Sequence, residues 1–342
     1  MPTRDPCLID ARSRADRVPK LGDPLLDRYI EFVASRTRPN TVLATVSDLR
    51  AFFRVTDKPP VDVSVDDVLA FIAEQRRPRG DGKVVRLSDG EAGLSARTIK
   101  RRLSTVSGLY SFLAMVGEVP ANPVPRGLAT RRSRGRRGAP LIRTPRTLPK
   151  VLDPEEVDAL MGALRRWRDR AMVEAMVLGG LRRCEVLGLR FEDLRPGEQR
   201  VFIVEGKGGH QRLIPISPRF FRSLSRYLDG ERPTDAHPEV VFVVLKGPRR
   251  GRPLTADGLD EIVRGARRRG GLAHATCHEL RHTCLTRLRE AGMALEAVQA
   301  QAGHRSIEST RIYLHLANEW LAGEYLSAIE RIDTSLFEAV TR

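Results

Sequence analysis

The stretch VFIVEGKGGHQRLIPI, residues 201–216, places two short apolar runs on either side of a glycine-rich connection. Apolar runs of this length around such a connection predict a β-hairpin. On both sides of the hairpin the apolar residues recur three or four positions apart, which is the spacing of helices. The sequence therefore predicts a mainly α fold with a small antiparallel β-sheet.

Four segments upstream of the hairpin have helical periodicity: LLDRYIEFVA, TVLATVSDLRAFF, SVDDVLAFIAEQ and TIKRRLSTVSGLYSFLAMV. We interpret residues 22–122 as an all-helical domain. The last segment has a predicted buried stripe of Ile99, Leu103, Val106, Leu109 and Leu113. Its opposite or flanking surface is expected to carry Arg97, Lys100, Arg101 and Arg102. Such a surface either lies on a DNA backbone or is a solvated charged face, and both interpretations stay open.

A second domain is predicted to begin near residue 150, at the sequence DPEEV. Asp153 can cap a helix, Pro154 suits its first turn, and Glu156 completes a capping box. The predicted organisation is an N-terminal tail (1–21), the helical domain (22–122), a basic linker (123–150), a mixed α/β domain (151–318), and a C-terminal helix and tail (319–342).

The chain of 342 residues has a formal net charge of +16, which indicates a polyanionic partner such as DNA. Residues 126–150 contain eight arginines, one lysine and no acidic residue, a composition that does not fold alone. The linker residues expected to contact DNA phosphates are Arg131, Arg132, Arg134, Arg136 and Arg137. Such contacts do not depend on base sequence and steepen the salt dependence of binding.

The cysteines and the apolar segments indicate the cellular setting. Cys7, Cys184, Cys277 and Cys284 form neither a CxxC pair nor a zinc-like spacing, so we expect no disulfide framework and no structural zinc. The first residues lack the apolar core of a signal peptide, and Glu174 interrupts the longest apolar stretch. We expect the protein to act in the reducing cytoplasm, at the nucleoid, and not to associate with a membrane.

The segment GGLRRCEVLGLR, residues 179–190, ends one helix with two glycines and begins the next with an arginine. Arg182 and Glu185 are three positions apart and can share one helical face. Because an arginine at a helix end is usually a surface charge, this segment is informative only together with two later ones.

The segment HELRHT, residues 278–283, places His278 and Arg281 one helical turn apart on the same face. It also contains an HExxH pattern, in which His278 and His282 could bind zinc with Glu279 as the base. A zinc protease is therefore an alternative, although no GxxH continuation follows and the surplus positive charge would have no explanation.

The third segment is QAGHRSIESTRIYLHL, residues 301–316, in which His304 precedes Tyr313 by nine residues. These three segments, with GKGGHQRLIPI between the first and the second, resemble the catalytic domain of the tyrosine recombinase or lambda-integrase family. The resemblance covers roughly residues 22–335, and the helical front half is similar to the SAM-like core-binding domain of that family.

The resemblance implies a site-specific recombinase that cleaves and rejoins DNA through a 3′-phosphotyrosine, without a metal or nucleotide cofactor. Tyr313 is the nucleophile in this interpretation, while Glu185 and His282 are supporting residues. The complete set of implied catalytic residues is Arg182, Lys207, His278, Arg281, His304 and Tyr313.

The residue types suit this chemistry. The guanidinium groups of Arg182 and Arg281 can meet the negative charge that develops on non-bridging phosphate oxygens. The leaving 5′ oxygen needs a proton, which lysine can supply and arginine cannot. In a chain with 52 arginines and seven lysines, the hairpin tip carries Lys207, which we interpret as the general acid.

The implied partners are double-stranded DNA with specific recombination sites and further copies of the chain, in a DNA-bound tetramer. Accessory DNA-bending or directionality proteins are compatible with this function. The C-terminal helix either exchanges between subunits or packs on its own domain. A non-cleaving DNA-binding regulator of the same fold is the main alternative, and a type IB topoisomerase or telomere resolvase would use similar chemistry.

Overall fold

The computed structural model describes residues 18–77, 93–125, 127, 141–144, 148–204, 211–304 and 310. The chain divides into two compact units, residues 1–146 and 147–342. Each unit has its own hydrophobic core. Within the described part of the chain, no helix is both long and apolar enough to cross a lipid bilayer.

The first unit is helical, and three of its helices begin at side chains that cap them, those of Asp23, Ser64 and Ser95. The Asp23 carboxylate accepts hydrogen bonds from the backbone of Leu25 and Leu26, and Ser64 forms a capping box with Asp67. The helices are α1 (Pro24–Ala34), α2 (Pro39–Thr56), α3 (Val65–Arg76) and α4 (Ala96–Met115), with a short 3₁₀ turn at Pro60–Asp62.

Helix α4 buries the apolar stripe that its sequence predicts. Ile99, Leu103, Val106, Leu109 and Leu113 are all buried in the core of the first unit. The spacing of these residues therefore identified the inner face of the helix correctly.

The basic residues of α4 have different surroundings. Three of them are exposed, and these are Arg97, Lys100 and Arg101. Arg101 pairs with the buried carboxylate of Asp48 on α2. The side chain of Arg102 is only 17% exposed and donates to the Gln75 amide oxygen on α3. Arg102 thus differs from the surface position predicted for it, because buried polar groups on α2 and α3 require hydrogen-bond donors.

The first helix of the second unit begins at the predicted capping box. The Asp153 carboxylate accepts a hydrogen bond from the Glu156 backbone, and the Glu156 carboxylate accepts one from the Asp153 backbone. The helices of this unit are α5 (Pro154–Gly162), α6 (Trp167–Val177), α7 (Arg183–Leu187), α8 (Pro218–Gly230), α9 (Ala256–Arg269), α10 (Cys277–Glu290) and α11 (Leu295–Ala302).

The strands β1 (Leu194–Arg195), β2 (Arg200–Ile203) and β3 (Arg212–Pro215) form one antiparallel sheet in this order. Val201 pairs with Ile214, and both side chains are buried together with Ile203. One face of the hairpin therefore packs on the core, and the small antiparallel sheet is confirmed. The hairpin tip, residues 205–210, lies outside the described residues.

Helix α6 is the central helix of the second unit. Its residues 171–177 are all buried, and it packs against α8 and α10. Its C-terminal end leads through Gly179 and Gly180 to Arg182. The most deeply buried helix of the unit thus fixes the position of the first predicted catalytic residue.

Val124 and Ile142, two described residues of the predicted linker, are buried in the core of the first unit, whereas residues 148–150 belong to the second unit. Residues 128–140, which include the basic cluster of the linker, lie outside the described residues. The predicted C-terminal helix of residues 319–342 lies outside them as well.

Candidate active site

Arg182 is held at the start of α7 by a carboxylate three positions later. Its Nη1 donates to Oε1 of Glu185 at 2.7 Å, and its backbone N–H donates to Oε2 at 2.8 Å. Its Nη2 donates to the carbonyl oxygen of Gly303 at 3.2 Å. Because 18% of the side chain stays exposed, the guanidinium is fixed in place and still accessible.

Arg281 reaches the same region from α10 and is only 2% exposed. Its Nη1 donates to the carbonyl oxygen of Gly180, and its Nη2 donates to that of Ala302 at 2.6 Å. The same Nη2 lies 3.3 Å from Nε2 of His304. These acceptors satisfy a buried guanidinium and place it beside the imidazole.

His304 follows the C-terminal end of α11. Its Nδ1 lies 3.0 Å from the hydroxyl of Thr310, and the Gln299 amide donates to its carbonyl oxygen at 3.0 Å. Burial, followed by the positive charges of Arg281 and Arg182, lowers the pKa of His304 to about 4. The imidazole is therefore neutral at pH 7, where one ring nitrogen can donate a hydrogen bond.

His278 and His282 form a pair on α10, with their Nε2 atoms 2.8 Å apart. One of these nitrogens donates and the other accepts. Burial, followed by the charges of His278 and Arg281, lowers the pKa of His282 to about 4. His282 is thus a half-buried neutral histidine in contact with the exposed His278.

The histidine pair also bears on the HExxH alternative. A zinc site needs at least one further protein ligand beside His278 and His282, whose Nε2 atoms lie 2.8 Å apart. Among the residues that the structure describes, no three or more His, Cys, Asp or Glu side chains are grouped so that they could hold a metal ion.

Glu185 is the buried centre of the cluster, and it binds a third arginine that the sequence analysis did not single out. Nη1 and Nη2 of Arg212, on β3, donate to Oε1 and Oε2 of Glu185 at 3.0 and 2.9 Å. This is a paired, charge-assisted contact. Arg281 is also near, with its Nη1 4.0 Å from Oε2 of Glu185.

The ionisation of Glu185 reflects these partners. Burial raises the pKa of this carboxyl, but the hydrogen bonds and charges of Arg212 and then Arg182 outweigh burial and lower the pKa to about 2. Glu185 is therefore a carboxylate throughout the physiological range. It provides a fixed negative charge to which the surrounding guanidinium groups are bound.

The C-terminal end of α11 holds all three arginines. Three successive backbone carbonyl oxygens each accept a hydrogen bond from one of them. In chain order, Gln301 accepts from Arg212, Ala302 from Arg281 and Gly303 from Arg182. Carbonyl groups at this end of a helix lack helical partners and favour cations.

Gly303 itself is required by the backbone at this point. Its φ of +60° lies in the left-handed region, which glycine adopts at helix ends without steric cost. A Cβ at this position would meet Nη1 of Arg212 at 2.9 Å. The glycine therefore allows the chain to turn towards His304 and leaves room for the Arg212 guanidinium.

The structure brings together four of the residues predicted from the sequence: Arg182, Glu185, Arg281 and His304. His278 lies on α10, one turn before Arg281. Lys207, Tyr313 and the linker arginines lie outside the described residues, so their places in the site stay predictions. Arg212 stands in the quoted hairpin, but its partner Glu185 is 27 positions away, and no local pattern signalled the pairing.

The cluster is suited to phosphate chemistry. Three guanidinium groups around one carboxylate leave an excess of positive charge, and Arg182 is partly accessible. Arginine donors that are fixed before a substrate binds can stabilise charge that develops on a phosphoryl group. The neutral His304 adds a hydrogen-bonding group beside them.

Comparisons with known proteins give related families for both units. Residues 150–319 match the Phage integrase family, and residues 26–117 match the Phage integrase N-terminal SAM-like domain. Tyrosine recombinase XerD of Lacticaseibacillus casei is 34% identical over 239 residues, which cover 67% of this chain and 75% of that protein. Tyrosine recombinase XerC of Roseiflexus sp. (strain RS-1) is 30% identical over 305 residues, covering 85% and 80%.

Solved structures show a similar fold at lower identity. A lambda integrase (75–356) dimer bound to a COC′ core site has a TM-score of 0.62 and 20% identity, covering 84% of this chain and 93% of that one. A lambda integrase tetramer bound to a Holliday junction has a TM-score of 0.58 and 20% identity, covering 82% and 76%.

Proposed function

Because this chain belongs to the phage integrase family of tyrosine recombinases, we propose that it recombines DNA at specific sites through a covalent bond between Tyr313 and a DNA 3′ phosphate. The observation that carries this proposal is the convergence of Arg182, Arg281 and His304 beside the end of α11. A protein that only binds DNA has no need for buried guanidinium groups arranged around a neutral imidazole.

The proposed reaction is a pair of transesterifications. The phenolic oxygen of Tyr313 attacks phosphorus, its proton passes to His278, and the 5′ oxygen of the next nucleotide leaves. Lys207 supplies the proton that this oxygen takes up. The new phosphotyrosine ester conserves the free energy of the phosphodiester that was cut. A 5′ hydroxyl from another strand can therefore attack this ester and release Tyr313 without ATP.

Arg182, Arg281 and His304 stabilise the negative charge of the reacting phosphate. Each charge-assisted hydrogen bond contributes about 1.5–3 kcal/mol. Removing a single donor of this kind lowers the rate of such reactions by about 100- to 1000-fold. The backbone carbonyls of α11 hold the two arginines before DNA arrives, so little reorganisation is needed when the charge develops.

We also propose that the reaction needs no divalent ion. The nucleophile is a protein side chain, the charge is met by arginines, and the leaving group receives its proton from lysine, so each task of a catalytic metal has a residue assigned to it. Covalent complex formation should proceed equally well in EDTA. Loss of the complex in EDTA, with recovery on addition of Mg²⁺, would contradict this.

The proposed partners are double-stranded DNA and further copies of this chain. The net charge of +16 favours binding to a polyanion. Lambda integrase has been solved on DNA as a dimer and as a tetramer at a Holliday junction. By this similarity we propose that the chain assembles as a tetramer when two recombination sites are paired.

The proposal is tested by trapping the intermediate on nicked DNA that carries the recombination site. The short 5′-hydroxyl fragment diffuses away after cleavage, so the protein should stay covalently attached to the 3′ phosphate. Tyr313→Phe should abolish the adduct, while Tyr325→Phe, a matched change in the same part of the chain, should retain it. An adduct that persists in Tyr313→Phe would exclude this nucleophile, and specific DNA binding with no adduct would favour the non-cleaving regulator.

A further inference from the structure

Glu185 is shared between two arginines that have different surroundings. Arg182 is partly exposed and reaches towards the site, whereas the side chain of Arg212 is 11% exposed and lies on β3. Both use the same two oxygens of one carboxylate that has no exposed side-chain surface. What Arg212 does to Glu185 is therefore transmitted to Arg182.

We propose that Arg212 is a positioning residue that divides the charge of Glu185, so that the Arg182 guanidinium stays available to the scissile phosphate. The inference rests on the proposed function and extends it to a residue outside the six implied catalytic positions. Arg212 does not contact the substrate in this proposal. It acts through the carboxylate that it shares with Arg182.

The geometry supports this division of charge. Arg212 forms a two-pronged contact with both Glu185 oxygens, while the Arg182 side chain uses only Nη1 on one of them and keeps Nη2 for the Gly303 carbonyl. Without Arg212, the full charge of a buried carboxylate would act on Arg182. The Arg182 guanidinium would then form its strongest contact by directing both Nη1 and Nη2 to the carboxylate. Neither group would be left for the phosphate.

The balance of charges around Glu185 also indicates that Arg212 keeps Arg182 available to the phosphate. Phosphoryl transfer adds negative charge to the phosphate oxygens, and the surplus of guanidinium groups over carboxylate near Glu185 compensates for it. Removing Arg212 reduces that surplus while the buried Glu185 stays charged. Arg182 would then neutralise Glu185 instead of the phosphate.

A purely structural role for Arg212 makes a different prediction. Its Nε also donates to the Gln301 carbonyl at 3.3 Å, so it fastens β3 to the end of α11. If Arg212 only stabilised the fold, its loss would slow the reaction of every substrate to the same extent. If it acts through Arg182, its loss matters only while the phosphate carries the charge that Arg182 meets.

The experiment compares two nicked substrates in the full-length protein. One carries an ordinary phosphodiester at the cleavage position, and the other carries a methylphosphonate, in which a methyl group replaces a charged non-bridging oxygen. Arg212→Met should slow formation of the Tyr313 adduct by about 10- to 100-fold on the phosphodiester. On the methylphosphonate most of that loss should disappear, because the charge that Arg182 would stabilise is missing.

Two further variants separate folding from positioning. Arg200→Met changes an exposed arginine on the neighbouring strand β2 and should leave both rates unchanged. The double variant Glu185→Gln with Arg212→Met removes both buried charges, which avoids an unpaired carboxylate. It should lose no more activity than Arg212→Met alone, because the two residues act as one unit.

The outcomes are distinct. A loss that is equal on both substrates, or additive losses in the double variant, would overturn the positioning role and leave a structural one. Arg212→Met that reacts like the unaltered protein on the phosphodiester would overturn it as well. If the unaltered protein forms no adduct on either substrate, the proposed function itself is wrong.

Discussion

Two half-buried imidazoles make the stability of this protein depend on pH in a defined window. His282 and His304 have pKa values of about 4 in the folded chain, whereas an unperturbed histidine titrates near 6.5. Between these values the unfolded chain binds more protons than the folded chain. The free energy of unfolding should therefore fall as the pH drops from about 6.5 to 4, which urea denaturation at several pH values can measure.

Substitutions can identify the residues that cause this loss of stability between about pH 6.5 and 4. His282→Asn and His304→Asn should each reduce the decrease in the urea midpoint across this range, whereas His237→Asn, at an exposed position, should not. The Glu185 carboxyl, with a folded pKa of about 2 against an ordinary 4.5, contributes stability that is lost only below pH 4.5. A midpoint that is constant between pH 6.5 and 4 would show that neither histidine is held neutral.

Single residues of the site were predictable to the extent that their partners are close in sequence. Arg182 and Glu185 are three positions apart, so a short motif contains both of them. Arg212 also lies in the predicted hairpin, but it donates to a carboxylate 27 positions earlier and to a carbonyl 89 positions later. Spacing along the chain carries no information about such pairings until the fold exists.

The end of helix α11 is the element on which the site depends most. Gly303→Ala would force a side chain into the left-handed region, at a cost of about 1–2 kcal/mol, and would press on the Arg212 guanidinium. We expect a lower melting temperature and slower formation of the covalent adduct. The second effect follows because the Gly303 carbonyl also holds Arg182.

Gly292→Ala is a matched control for this change. Gly292 follows α10 with a φ of +88°, and a Cβ there would meet nothing within 4 Å. It should therefore lower stability by a similar amount while the rate of adduct formation stays close to that of the unaltered protein. Equal rates in the two variants would show that the α11 end does not control the arginines.

The elements that the sequence predicted are those long enough to show a period. Helix α4 has 20 residues and buries its predicted stripe, and the hairpin of β2 and β3 follows from two apolar runs. Helix α7 has five residues, so the two glycines before it, and not periodicity, indicated where it begins, whereas the two residues of β1 are too few to show a period.

The charge of the whole molecule predicts how its DNA binding responds to salt. Changing Arg131, Arg132, Arg134, Arg136 and Arg137 to glutamine should make the slope of log affinity against log salt concentration shallower by up to about 4.5. Phosphate contacts carry no sequence information, so affinity for unrelated DNA should decrease by a similar factor. An unchanged slope, measured by titration at several salt concentrations, would show that this cluster does not contact DNA.

The division of the molecule was predictable in outline from composition. The basic segment after residue 126 and the capping box at Asp153 mark a change of unit. The burial of Ile142 in the first unit was not predictable, because a lone apolar pair in a charged segment has no periodicity to show which core it joins. Which core receives such a residue is decided by the space that the folded helices leave.

Because of the three carbonyl groups at the end of α11, the arginine cluster can form only after the ribosome has synthesised most of the chain. The bonds that they accept span 121, 89 and 21 residues, so each joins segments that leave the ribosome at different times. A nascent chain that ends before residue 301 lacks the scaffold on which the guanidinium groups rest. On the proposed function, an unfinished polypeptide is therefore unable to damage the chromosome.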